Sequence, residues 1–258
     1  MTCTVDFEGG GDLTREMSGY NRLRQVLQFQ NSERAMSIST KVSPSPTGHP
    51  SAMQIPDSKL AKDITEFVRD TESTLLFNHS SRVYCFGALA GQRRGLSFDP
   101  ELLYAGAMFH DVGLVPSYSS ATDRFEVDGA NAARDFLRRY ELPSEDIDRV
   151  WTAIALHTTP GIPQYMHPVV ALVTAGVEMD VLGIDYSNFA DTERDAVVRA
   201  FPRTPSFKED ILQAFYDGIK HKPNTTFGNV KADVLAEKDP SFKRINFCSI
   251  IRNSPWGG

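Results

Sequence analysis

Three histidines and two aspartates are the residues best placed to do chemistry in this chain: His79, the adjacent pair His110-Asp111, His157 and Asp180. Imidazole nitrogens and carboxylate oxygens without a thiolate are a donor set for a divalent cation, either zinc or ferrous iron, and spacing does not choose between them. Any one of these histidines, taken alone, reads as a core histidine with a satisfied ring. Asp180 is harder to explain that way, because a carboxylate on the inner side of an apolar helix must be neutralised, hydrogen-bonded or bound to metal. His79, the His110-Asp111 pair, His157 and Asp180 fall on inward faces of separate segments, and one shared cation accounts for all of them.

The elements that must carry these residues are helical. Asp57 or Ser58 can cap a helix in which Leu60, Ile64, Phe67 and Val68 recur at helical spacing. The next helix runs from about Thr74 to Gly91 and turns His79, Val83, Phe86 and Ala90 to one side, with Gly91 and Gly95 as stops. Asp99-Pro100 opens the helix that ends at His110-Asp111, and Gly113 provides its exit. Arg124–Asp128 leads into a helix with Ala130, Ala133, Leu137 and Tyr140 inward; within this lead, Asp128 reads as a helix cap. Ser144 can cap the following helix, whose inner stripe is Val150, Ile154 and His157. After a proline-glycine break at residues 158–163, His167-Pro168 starts an apolar helix that aligns Val173, Val177, Asp180 and Ile184. Further helices are expected near residues 191–201, 206–220 and 229–237. No run alternates at period two, so the fold class is all-α.

The 258 residues suit one large domain with an extension. Residues 1–55, rich in Gly, Ser and Pro and with one short helix near Tyr20–Phe29, read as a partly ordered extension, and residues 56–258 as the catalytic domain. A net charge of -6 argues against nucleic acid as the main partner. The longest apolar stretch, residues 169–184, contains Glu178 and Asp180 and reads as a buried helix rather than a membrane span. Three cysteines without a CxxC spacing indicate neither a disulfide framework nor a thiolate zinc site. The N-terminus lacks the pattern of a signal peptide, so the expected compartment is the cytoplasm.

The order His79, His110-Asp111, Asp180 resembles the HD-domain superfamily, helical bundles in which H…HD…D binds a divalent metal. Longer segments are similar to fungal cyanamide hydratase-like proteins: Asn78-His79-Ser80, GALAGQRRGLSFDPELLYAGAMFHDVGL, RFEVDGANAARDFL, ALHTTPGI and the stretch Glu178–Gly183. The resemblance covers most of the chain from Pro56 onward. It implies that His79, His110, Asp111 and Asp180 hold one divalent metal, with zinc favoured over ferrous iron. It also implies a small-molecule substrate, and, since such bundles often associate, a homodimer.

The reaction that follows is hydration of a short C≡N group, with cyanamide to urea as the reference case. The metal would lower the pKa of its water toward neutrality. Asp111 would orient that water, and His157 would donate a proton to the terminal nitrogen. Thr158 and Glu126 are candidate substrate contacts. Arg82 reads as the partner of a surface acid, and His221 as exposed. Three alternatives stay open. An HD phosphohydrolase would need cations such as Arg82, Arg93 and Arg94 near the metal. It is disfavoured by Leu114, which stands where such enzymes often carry an acid or lysine. A di-iron oxygenase would use His157 and His167 at a second metal position. A non-catalytic binding module would keep the bundle without the chemistry.

Overall fold

A computed structural model describes residues 54–226 and 228–257. The expected extension over residues 1–55, except for Gln54 and Ile55, and the expected helix near Tyr20–Phe29 lie outside the described residues. Among the described residues there are ten α-helices and no strand, so the fold is all-α as the periodicity requires. No helix among them is long and apolar enough to cross a membrane.

Helix α1, Lys59–Thr71, is capped by Ser58, whose hydroxyl accepts from the Ala61 N–H at 3.0 Å. Ser73 caps α2, Thr74–Arg93, in the same way. This helix runs past Gly91, which lies inside it against Phe98 and Leu172. The left-handed Gly95 is the stop. Asp99 caps α3, Pro100–Phe109, as expected, accepting from the N–H groups of Glu101 and Leu102. Then follow α4, Phe125–Leu137, and α5, Ser144–Leu156. Ser144 is the first helical residue rather than the cap, since Pro143 takes the cap position. Asp128 does not cap α4 either: it accepts from the Ser120 N–H at 2.9 Å and from the buried Lys222 ammonium at 2.6 Å. His167 does cap α6, Pro168–Val177.

The core forms where α2 packs along α6 and α3, α5 along α6, α3 and α4, and α1 against α3. Leu103, Phe109, Val150, Ile154, Leu172 and Val173 are fully buried there. A second, smaller cluster, with Leu76, Leu114, Phe125, Phe207, Ile211 and Ile251, joins this bundle to α8, Phe207–Ile219, and α10, Phe247–Arg252. Between α6 and α8 runs α7, Asp191–Ala200, and α9 is Val230–Lys238.

Two glycines set the helix spacing around the chemistry. A Cβ on Gly176 of α6 would come within 2.1 Å of the Val83 carbonyl oxygen of α2. A Cβ on Gly113, in the tight turn that follows Asp111, would come within 1.9 Å of the Phe125 carbonyl oxygen. Backbone, not a flexible side chain, blocks both positions. Gly113→Ala must therefore push α4 away from the Asp111 turn. A loss of at least about 1–3 kcal/mol is expected, read as a lowered denaturant midpoint.

Candidate metal centre

The five residues singled out from the sequence come together, two of the histidines at the ends of helices. His110 takes the C-cap position of α3 and His157 that of α5. The last carbonyls of a helix have no partner within it. Each ring uses one: His110 Nδ1 lies 2.7 Å from the Ala107 carbonyl oxygen, and His157 Nδ1 2.7 Å from that of Ile154. A carbonyl can only accept, so both Nδ1 atoms carry the proton and both Nε2 atoms present a lone pair. His79, on α2, is held the same way from a different source. Its Nδ1 donates to Asp180 Oδ2 at 2.7 Å, which leaves its Nε2 lone pair free.

These lone pairs converge. His79 Nε2 and His110 Nε2 are 3.2 Å apart, and Asp111 Oδ2 lies 3.6 Å from the first and 3.3 Å from the second. His157 Nε2 is 3.7 Å from Asp111 Oδ1. Both Asp111 oxygens and His157 Nε2 are buried without a hydrogen-bond partner. Acceptors facing acceptors in a dry interior repel unless a cation lies among them, and orphaned buried polar atoms call for the same explanation. The negative ends of α3 and α5 add to this preference for positive charge. His79, His110 and Asp111 present ligand atoms that all lie within 4.8 Å of one another, a geometry that fits a divalent ion.

Burial and neighbours set the ionisation here. Burial carries the His79 and His157 rings below the ordinary imidazole value, His157 to about 4, so both rings are neutral at physiological pH. Burial also disfavours charge on His110, but the adjacent Asp111 carboxylate more than reverses that. Against the cost of burial, the same histidines hold Asp111 far below the usual carboxylate range. Asp111 sits at φ -103°, ψ 0°, the sparsely populated bridge region often found at active sites.

Asp180 is near the centre but does not face it. It lies in a π-helical turn, Glu178–Leu182, that follows α6. Besides His79, it accepts from Arg82 Nε at 2.8 Å and Nη2 at 3.0 Å, and from Arg203 Nη1 at 2.7 Å. Both of its oxygens are thus occupied on the far side of the His79 ring, away from the Nε2 cluster. The direct-ligand place expected for Asp180 is not the one this geometry offers. Arg82 is likewise no surface residue: it is fully buried, and Nη1 donates to the carbonyls of Phe201 and Pro202.

Glu126 and Thr158 do come together beside His157. The Thr158 hydroxyl donates to Glu126 Oε1, and Arg124 Nη2 bonds both residues. The Thr158 proton is therefore committed to Glu126 rather than free for a substrate. His157 also differs from the expectation, since its Nε2 has no proton to give. His167 is not brought to the cluster. Its Nδ1 accepts from the Val169 N–H at 3.3 Å, and the charges around it are Arg149, Asp146 and Glu145.

Two residues near the centre carry no signal in the sequence pattern. Arg203 sits in the link between α7 and α8, with no periodicity to point inward. Glu72 links α1 to α2 and is buried. Its Oε2 accepts from the Ser80 hydroxyl at 3.4 Å, its Oε1 has no partner, and burial together with the charge of Asp111 raises its pKa well above the usual carboxylate value. Arg82 could have been found, since it stands one turn from His79 and a carboxylate serving one can serve the other.

No curated protein matches the chain. The family model described as HD domain does match residues 76–185, the stretch that runs from near the start of the His79 helix to just beyond the Asp180 turn, and the all-α bundle with its paired His110-Asp111 is consistent with that match.

Proposed function

We propose that this HD domain is a metal-dependent enzyme that adds water to a small C≡N substrate, cyanamide to urea being the reference case. The observation that carries the metal-dependent reading is the set of buried, unpartnered acceptors: Asp111 Oδ1 and Oδ2 and His157 Nε2, gathered with the Nε2 atoms of His79 and His110. In this reading His79, His110, Asp111 and His157 hold the ion. Asp180 supports it by orienting His79, as carboxylates behind ligand histidines do.

Two features support a small uncharged substrate over a phosphoester. The ligand side chains are almost wholly buried, with His157, at 2 % exposure, the most accessible. The arginines that could meet a phosphate are engaged elsewhere: Arg82 with Asp180, Arg93 with Glu193 and Arg94 with Asp185. Leu114 is buried in the second core cluster, where it offers neither a charge nor a proton. The C≡N specificity itself rests on the resemblance of the segments around these residues to cyanamide hydratase-like proteins.

When bound, a divalent ion supplies Lewis acidity and brings the pKa of water toward neutrality. The chain does the rest. Asp111, with no protein partner on either oxygen, can keep one oxygen for the ion and orient the incoming water with the other. That water's oxygen bonds to the nitrile carbon as one C–N π bond opens onto the terminal nitrogen. One proton of the water passes to that nitrogen, and loss of the remaining hydroxyl proton with a second protonation of nitrogen gives the carbonyl of urea. The ionised Glu126, fixed by Arg124 and Thr158 beside His157, presents an acceptor for the substrate's amino group.

The test is urea formation from cyanamide by the purified, metal-loaded protein, set beside other small nitriles and a panel of phosphomonoesters. Urea should appear in step with cyanamide loss and stop on chelation. Release of phosphate without any urea would remove the proposed reaction in favour of the phosphohydrolase.

A further inference from the structure

Behind His79, on the side away from the proposed metal, the charges do not balance. Arg82 and Arg203 both point at the single carboxylate of Asp180, and the three side chains are 0 %, 7 % and 0 % exposed. The Arg82 guanidinium is fully used, with Nε, Nη1 and Nη2 all donating. Arg203 is not: Nη1 donates to the Asp180 carboxylate and carbonyl, while Nε and Nη2 are buried without a partner. Those two nitrogens share one edge of the guanidinium plane. That edge is the fork that grips two oxygens of a carboxylate or phosphate.

The surroundings of this fork point the same way. The Arg203 guanidinium carbon lies 3.8 Å from the Phe207 ring centre and 4.6 Å from that of Trp256. The Lys208 ammonium bonds the carbonyls of Arg252 and Ser254, at 3.1 and 3.2 Å, so the segments 203–208 and 252–256 meet here. The hydroxyl of Ser254, on that same C-terminal segment, is also buried without a partner. Two buried guanidinium groups thus share one carboxylate, with three orphaned donor atoms, Arg203 Nε and Nη2 and Ser254 Oγ, on the segments that meet here. A buried excess of positive charge is costly, and an oxyanion would relieve both the charge and the unmade hydrogen bonds.

We propose that Arg203 and Ser254 form a receptor for a small oxyanion, a phosphate or a carboxylate, distinct from the metal centre and tied to it through Asp180 and His79. Arg203 Nε and Nη2 grip two of its oxygens, and the Ser254 hydroxyl donates to it. The anion fastens the C-terminal segment to the residues that orient His79.

Calorimetric titration of the metal-loaded protein with inorganic phosphate, and separately with acetate, tests this and tells the two sources apart. Saturable binding of either ion at one site per chain is expected. Ser254→Ala should weaken it roughly tenfold, the worth of one hydrogen bond to a charged group. Arg203→Lys keeps a positive charge but loses the fork, and should weaken it by more than about tenfold. Asp111→Ala, which removes a metal ligand, should leave it unchanged. Absence of binding of either ion overturns the receptor. So does binding that vanishes with Asp111→Ala yet survives Ser254→Ala, since such an ion sits on the metal. The cyanamide assay is independent of all these outcomes.

Discussion

Asp111→Ala is expected to leave the purified protein nearly metal-free, where the unaltered chain should carry about one ion. Among the described residues, Asp111 is the one carboxylate with both oxygens buried and unpartnered, so its charge is the one the cluster offers an ion. Removing a residue that merely orients a ligand lowers metal affinity about 10–100-fold, and removing the ligand itself must cost more. His157→Ala should act in the same direction, because its Nε2 lone pair is aimed at the same space and its Nδ1 proton is committed to the Ile154 carbonyl. Metal analysis after gel filtration reads both. Stoichiometric metal retained in Asp111→Ala would dismantle the centre. Stoichiometric metal retained in His157→Ala would return that residue to a place outside the ligand set.

The second large effect is on folding rather than on metal. Asp180→Ala removes the only carboxylate bonded to Arg82 and Arg203 among the described residues and leaves two guanidinium groups buried without that counter-charge. Breaking a buried ion pair from one side costs about 3–5 kcal/mol, because the partner's desolvation is no longer offset. For a domain of this size that is a fall in Tm of roughly 6–20 °C. The comparison should be made on chelated protein, so that lost metal binding does not enter. Under those conditions Asp111→Ala should change stability little, since Asp111 makes no hydrogen bond in the absence of an ion. Equal stability losses in the two variants would mean that Asp180 is not the anchor of the arginine cluster.

The contrast between these two aspartates also shows what could be read from the amino acids alone. Helical periodicity turned His79 and His110 inward correctly, and Asp99-Pro100 marked the start of the helix that delivers the His110-Asp111 pair. These are local effects, set within a few residues. Asp180 was expected in phase with Val173 and Val177, but the chain enters a π-helical turn at Glu178, whose wider winding changes which way the next side chains face. The side chains that neutralise Asp180 come from distant segments, Arg82 on α2 and Arg203 after α7, and no spacing rule links them. His157 was placed on the inner stripe of its helix, yet its lone pair could be assigned only once the Ile154 carbonyl was seen to hold the other nitrogen. The short helix α10 was missed because its six residues are too few to establish a period.

The π-helical turn has a consequence for synthesis. Arg203, 23 positions after Asp180, closes on its carboxylate and carbonyl, and the indole of Trp256, 77 positions after Met179, donates to the Met179 carbonyl at 2.8 Å. A ribosome releases those residues long after it has released α2 and α3. His79 therefore lacks its full support until residue 256 has emerged, and a nascent chain stalled before that point would expose a half-built cradle. In the proposed reading, loading of an ion on His79 accordingly waits on the emergence of Arg203 and Trp256.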